Sequence, residues 1–168
     1  NGTNGTNGTN GVDGNANVQT YVYNSPAWGT ASWMDIDMSD ILTDEILQND
    51  VILGYVKNTG FNIVNPIPGV LAGSKNYKVN IFNSNAGSLS FCYRIVSLEL
   101  DGSETLNADL LAADWVKVVI IESTNTTSVD GNGKKRLNSQ QAIYDELDKA
   151  GVDINNYYQV MDYYGLEY

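Results

Sequence analysis

The stretch "WVKVVIIES" (115–123) carries apolar side chains at both odd and even positions. Successive side chains of a strand point to opposite faces, so a run apolar at both parities belongs to a strand covered on both sides. It predicts a central strand. Working outward, "VILGYVK" (51–57) is a second strand, while "VQTYVY" (18–23) and "SWMDIDM" (32–38) alternate apolar with polar, as half-buried strands do. In the latter, Trp33 shares a face with Asp35 and Asp37, and Met34, Ile36 and Met38 share the other. "YKVNIFN" (77–83) and "SLSFCYRIV" (88–96) flank "SNAG", which predicts a hairpin. Alternation changes phase near Ser97, where a bulge or strand break is expected. "NTGFNIVNPIPGVLAGS" (58–74) reads as irregular, with Pro66 and Pro68 excluding it from central pairing. The polar stretch "TNTTSVDGNGKK" (124–135) reads as a surface loop or hairpin tip.

Helical signals are short. "SDILTDEILQND" (39–50) predicts one helical turn capped by Ser39 or Thr43. "NSQQAIYDELDKAG" (138–151) has Asn138 positioned to cap and Gly151 to stop, and "NNYYQVMDYYG" (155–165) places Tyr157, Val160, Met161 and Tyr164 on one stripe before Gly165. Residues 17–168 therefore read as one mainly β head domain, an antiparallel β-sandwich with a short C-terminal helical hairpin.

The composition removes several functions. A formal net charge of −11 argues against nucleic acid and anionic membrane surfaces as partners. The cluster Lys134, Lys135 and Arg136 follows a turn and reads as solvated. Cys92 is the only cysteine and lies in an apolar run, so no intrachain disulfide forms and a buried, inert thiol is expected. There is no histidine, which removes the usual general base, the serine–histidine and cysteine–histidine pairs and most catalytic zinc sites. No stretch of 18 apolar residues occurs, so the chain offers no transmembrane helix.

The first 16 residues, "NGTNGTNGTNGVDGNA", differ from the rest: glycine stands at positions 2, 5, 8, 11 and 14. Three readings compete. Gly, Asn and Thr make a flexible spacer. Asn1-Gly2-Thr3, Asn4-Gly5-Thr6 and Asn7-Gly8-Thr9 match a glycosylation motif that any such repeat generates. A collagen-like triple helix needs glycine at every third position, because only glycine fits at its axis. A spacer needs no strict register, yet five triplets keep it while "GTN" gives way to "GVD" and "GNA"; the absence of proline from the tract counts the other way. The preferred reading is a collagen-like segment over 1–16, with Gly2, Gly5, Gly8, Gly11 and Gly14 at the triple-helix axis. The chain begins within the repeat and without methionine, so an upstream part is expected to be missing.

With the repeat, "DGNANVQTYVY" (13–23), "ADWVKVVIIES" (113–123) and "GVDINNYYQVMDYYGL" (151–166), the chain resembles the collagen-like secreted or lipid-anchored surface proteins of Bacteroidota, whose Gly-x-y repeats run into a β-rich terminal domain. That resemblance implies an extracellular or cell-surface location, a homotrimer and a structural or fibre role. It carries no enzymatic activity.

Candidate sites were weighed against plainer roles. Asp35, Asp37, Asp40, Asp44 and Glu45 form the densest acidic run, in which a calcium site competes with solvated charge, and solvated charge is preferred. "DGNG" (130–133) opens like a calcium loop but lacks the later acidic ligand. No metal, cofactor or catalytic residue is nominated. Trp28, Trp33 and Tyr168 are candidates for stacking on sugars, with core or subunit contact the plainer role. Tyr157, Val160, Met161 and Tyr164 are one candidate subunit interface, and packing within the subunit fits them equally well. The expected protein is a structural, extracellular collagen-like stalk or fibre subunit, not an enzyme, whose head trimerises and registers the triple helix, and whose trimers can join into longer filaments. The alternative is an adhesin or carbohydrate-binding head on such a stalk.

Overall fold

A computed structural model describes residues 18–24, 33–58, 62–71, 75–83, 91–99, 101, 103, 113–123 and 139–168. The glycine repeat, Trp28, Asn138 and residues 130–136 lie outside the described residues.

Among the described residues, eight strands form two antiparallel four-stranded sheets. They are β1 (Val18–Asn24), β2 (Trp33–Asp37), β3 (Val51–Asn58), β4 (Val64–Ile67), β5 (Gly69–Leu71), β6 (Lys75–Asn83), β7 (Phe91–Leu98) and β8 (Ala113–Ile121). The first sheet has the order β1-β8-β3-β4 and the second β2-β7-β6-β5. Their facing sides share one core that includes Met34 and Ile36 from β2, Tyr93 and Ile95 from β7, and Val116, Val118 and Ile120 from β8.

The first sheet is covered twice. Its other side packs against α2 (Ser139–Lys149) and α3 (Tyr157–Tyr164), burying Val51, Leu53, Val119 and Ile121 against Ile143, Leu147, Val160 and Met161. Each such aliphatic side chain contributes about 1.5–3 kcal/mol when fully buried. This layering explains the two sequence patterns. The central strands β8 and β3 are apolar at both parities because helices lie on one face and the second sheet on the other. Strand β2 alternates strictly, with Met34 and Ile36 buried and Trp33, Asp35 and Asp37 exposed, because the outer side of its sheet carries no such helical layer among the described residues.

One expectation needs correction. The stretch 58–74 is not wholly irregular, since it holds β4, the edge of the first sheet, and β5, the edge of the second. Prolines are tolerated at edges, and Pro66 lies within β4 opposite Tyr55. Near Ser97, where a bulge or a strand break was expected, it is the strand break that occurs. The pairing of β6 with β7 runs unbroken from Asn83↔Phe91 to Asn76↔Leu98, and the strand simply ends at Leu98.

Helix ends follow the sequence closely. The short helix α1 (Asp44–Asn49) is capped by Thr43, whose hydroxyl accepts from the Ile46 N–H at 3.2 Å. Gly151 and Gly165 end α2 and α3 in the left-handed conformation, with φ of 74° and 64°. At each, the N–H of the next residue reaches back five positions, Val152 to Leu147 O at 2.9 Å and Leu166 to Met161 O at 2.8 Å. Gln140 of α2 donates to Leu47 O at 3.1 Å and Asp50 O at 2.9 Å, fastening α2 to the end of α1.

Candidate functional site

On the helix-facing side of β8, one residue breaks the apolar pattern. Lys117 lies in the middle of β8 between Trp115 and Val119 on that face, and only 6% of it is exposed. Its ammonium donates to Tyr157 Oη at 2.6 Å and lies 3.4 Å from the carbonyl oxygen of Glu167. It also sits 5.0 Å from the centre of the Tyr157 ring and 5.4 Å from that of Trp115. The Trp115 ring offers a cation its electron-rich face. Burial holds the Lys117 ammonium below the usual lysine range. The Tyr157 phenol is pushed up to about 12, by burial first and then by Tyr158 and Tyr168.

Tyr157 is the hub of an aromatic cluster. Its ring lies 5.2 Å from Tyr55 and 5.2 Å from Tyr158, both edge-on, and 5.7 Å from Trp115. Tyr55 Oη donates to Ile154 O at 2.8 Å, tying β3 to the link between the two helices. Outside this buried hub stand Tyr158, 43% exposed, and Tyr168, 68% exposed, with ring centres 5.4 Å apart. Tyr168 donates to an Asp162 carboxylate oxygen. Val22, 47% exposed on the edge strand β1, is the cross-strand partner of Lys117 and so lies on the same face.

The expected stripe on α3 is therefore placed inside its own subunit. Tyr157, Val160 and Met161 are buried against the first sheet and Tyr164 is half-buried beside them. The outward apolar surface of this end comes from Tyr158 and Tyr168 instead. Lys117 escaped the sequence reading, although a lysine inside an otherwise apolar central strand was the available signal.

The acidic run does not converge. Asp35 takes a two-pronged ion pair from Arg94, at 2.6 and 2.7 Å, and that hydrogen bonding holds its carboxyl below the usual range. Asp37 accepts from both the hydroxyl and the N–H of Ser39, which lowers its carboxyl in the same direction. Asp44 and Glu45 sit in the first turn of α1, where the helix dipole favours them. Among the described residues no three His, Cys, Asp or Glu side chains are grouped to hold a metal. Trp33 lies on the outer side of the second sheet, where the Arg94 guanidinium is held between its ring, at 4.9 Å, and that of Phe82, at 4.8 Å. Cys92 is buried, and burial pushes its thiol up to about 11. Among the described residues no helix is long and apolar enough to cross a membrane.

Chemically, the Lys117 cluster is a clamp. It satisfies a buried cation with a phenol oxygen, a carbonyl and the Trp115 ring, and in doing so fixes the last helix and the tail to the central strand. No protein-family model, curated protein or solved structure compared with the chain matches it.

Proposed function

We propose that this chain is a structural, extracellular protein in which a collagen-like segment, residues 1–16, is carried by a β-sandwich head, residues 17–168. The reading rests on one observation above all. The five Gly-x-y triplets stop at Ala16, and the edge strand β1 begins at Val18, so the repeat enters a rigid sheet with almost no slack. Triplets without proline do not pre-set the extended conformation, and each ordered residue loses roughly 1–2 kcal/mol of backbone entropy, so the repeat gains from a partner that aligns three chains. A head that gathers three copies converts the meeting of the repeats into an intramolecular step. Homotrimers of this kind can then join into longer filaments at the cell surface.

The test is Gly8→Ala in the full chain. A methyl group does not fit at a triple-helix axis, so this substitution should lower the melting of the segment followed by circular dichroism, while Thr6→Ala should change it much less. Equal, unchanged melting in both variants would refute the triple helix.

A carbohydrate-binding head is the second reading, favoured by the outward position of Trp33, 37% exposed on the outer side of the second sheet. Binding of the full chain to a specific glycan on an array, lost in Trp33→Ala, would establish it in place of the purely structural role.

A further inference from the structure

We infer that the surface formed by Tyr158, Tyr168 and Val22, over the Lys117 clamp, is where the head of one copy of this chain meets another. The proposal rests on the collagen-like reading of residues 1–16 and names the surface that this reading requires.

Four observations converge on it. First, these three side chains are among the most exposed large apolar groups of the described residues, at 43%, 68% and 47%, and they lie on one side of the first sheet. Second, the rings are not loose. Tyr158 stacks edge-on against the buried Tyr157, and Tyr168 stacks edge-on against Tyr158, so the surface is held in shape before any partner arrives. Rigid aromatic side chains give large contact area at a small cost in conformational entropy.

Third, the position fits a second copy. The repeat enters the head at Val18, and Val22 lies four residues along the same edge strand, about 13 Å away. Chains joined through their first 16 residues would bring these surfaces within reach of each other. Among the described residues β1 pairs only with β8, so it is the edge of the first sheet on the side of Val22. Fourth, the size fits a tethered contact. A stable interface between untethered proteins buries about 800 Å² on each partner, more than three side chains supply. The patch and the repeat therefore act together, each raising the local concentration at which the other meets its copy. The net charge of −11 per chain makes the requirement sharper, since copies meeting through acidic surfaces would repel.

The experiment is sedimentation of the full chain across a hundredfold range of concentration, with three variants alongside. Tyr158→Glu with Tyr168→Glu places charge in the patch. Val70→Glu with Tyr144→Glu adds the same charge at exposed positions elsewhere. Gly5→Ala with Gly8→Ala and Gly11→Ala breaks the repeat and leaves the patch intact. The expected result is a self-associating parent chain, at least tenfold weaker association in the patch variant, and little change in the charge-matched control. Circular dichroism of the patch variant should keep its β signature, which separates lost association from lost folding. If the patch variant associates as tightly as the parent, the surface is wrong, whatever the repeat does. Loss of association in the patch variant but not in the repeat variant would uphold the surface and remove the triple helix as its tether. A parent chain that stays monomeric throughout the range overturns both the surface and the triple helix, which needs three chains, whereas an associating parent with an unaffected patch variant overturns the surface alone.

Discussion

Lys117 and Tyr157, forty residues apart in sequence, meet at 2.6 Å inside the layer between the first sheet and its helices. The phenol oxygen is the closest acceptor of a cation that is almost wholly removed from water. Tyr157→Phe should keep the ring packing and delete that acceptor. Leaving a buried donor unsatisfied costs about 1–3 kcal/mol, and more when it is charged. Lys117→Met should be close to neutral, because replacing a buried charge with an apolar group of similar volume removes its desolvation cost. The double variant should then be more stable than Tyr157→Phe alone. Urea unfolding of the four proteins measures this coupling directly, and purely additive effects would mean that the contact contributes nothing.

The pH dependence carries the same chemistry with opposite signs. A lysine held below its ordinary 10.5 binds its proton more weakly in the folded chain, so its contribution to stability rises with pH below that value. Tyrosines behave the other way. Burial raises Tyr157 to about 12 and also raises Tyr55, Tyr93 and Tyr164 above the ordinary 10.0. Folding then favours their protonated forms, and the stability they contribute is complete below pH 10 and is lost as pH climbs past it. The urea midpoint should fall steadily above about pH 10. In Lys117→Met any rise on approaching that point should vanish, while the fall beyond it remains. Phenolate absorbance should appear together with unfolding rather than ahead of it for the buried tyrosines.

Gly54 in the middle of β3 has a steric reason to be glycine. A Cβ built there would come within 2.1 Å of Tyr93 Oη and 3.2 Å of Ile67 O. Tyr93 is 1% exposed and has no room to swing away. Gly54→Ala should therefore cost roughly 1–3 kcal/mol, as overpacking of a tight core does. Removing the hydroxyl should recover part of that loss, so Gly54→Ala combined with Tyr93→Phe should unfold at higher urea than Gly54→Ala alone. If the combination is no better, the clash lies with the Ile67 carbonyl instead.

How far these features could be read in advance depended on the range of the interactions behind them. The doubly apolar β8 announced its place because burial on two faces writes apolar residues into both parities of the run. The glycines at 151 and 165 and the threonine at 43 were legible because caps act within one helical turn. Strands β4 and β5 were missed, being four and three residues long, too short for alternation to show, with prolines at 66 and 68 masking the rest. The Lys117 clamp and the Gly54–Tyr93 contact join distant segments, and no local pattern encodes which segments will meet. The apolar stripe of α3 was correctly found, yet periodicity alone does not distinguish a face packed on its own sheet from one left for a partner.

The tail after α3 depends on a single turn, which gives the last prediction. Gly165 adopts φ of 64°, and its left-handed conformation lets the Leu166 N–H reach Met161 O at 2.8 Å. That turn directs the chain back so that Glu167 O comes to 3.4 Å from the Lys117 ammonium. A side chain at this position meets no neighbour within 4 Å, so the penalty of Gly165→Ala is conformational alone, about 1 kcal/mol. Gly151→Ala, at φ of 74° and equally uncrowded, should cost a similar amount at the end of α2. The two should differ in what they loosen. Gly165→Ala should speed amide hydrogen exchange at Leu166 and Glu167, whereas Gly151→Ala should speed exchange at Val152, whose N–H bonds to Leu147 O at 2.9 Å. Matching global stability with exchange changes confined to each helix end would show that the turn at Gly165 holds the tail over Lys117. Unchanged exchange at Leu166 in Gly165→Ala would mean that the aromatic stacking of Tyr168 holds it without the turn.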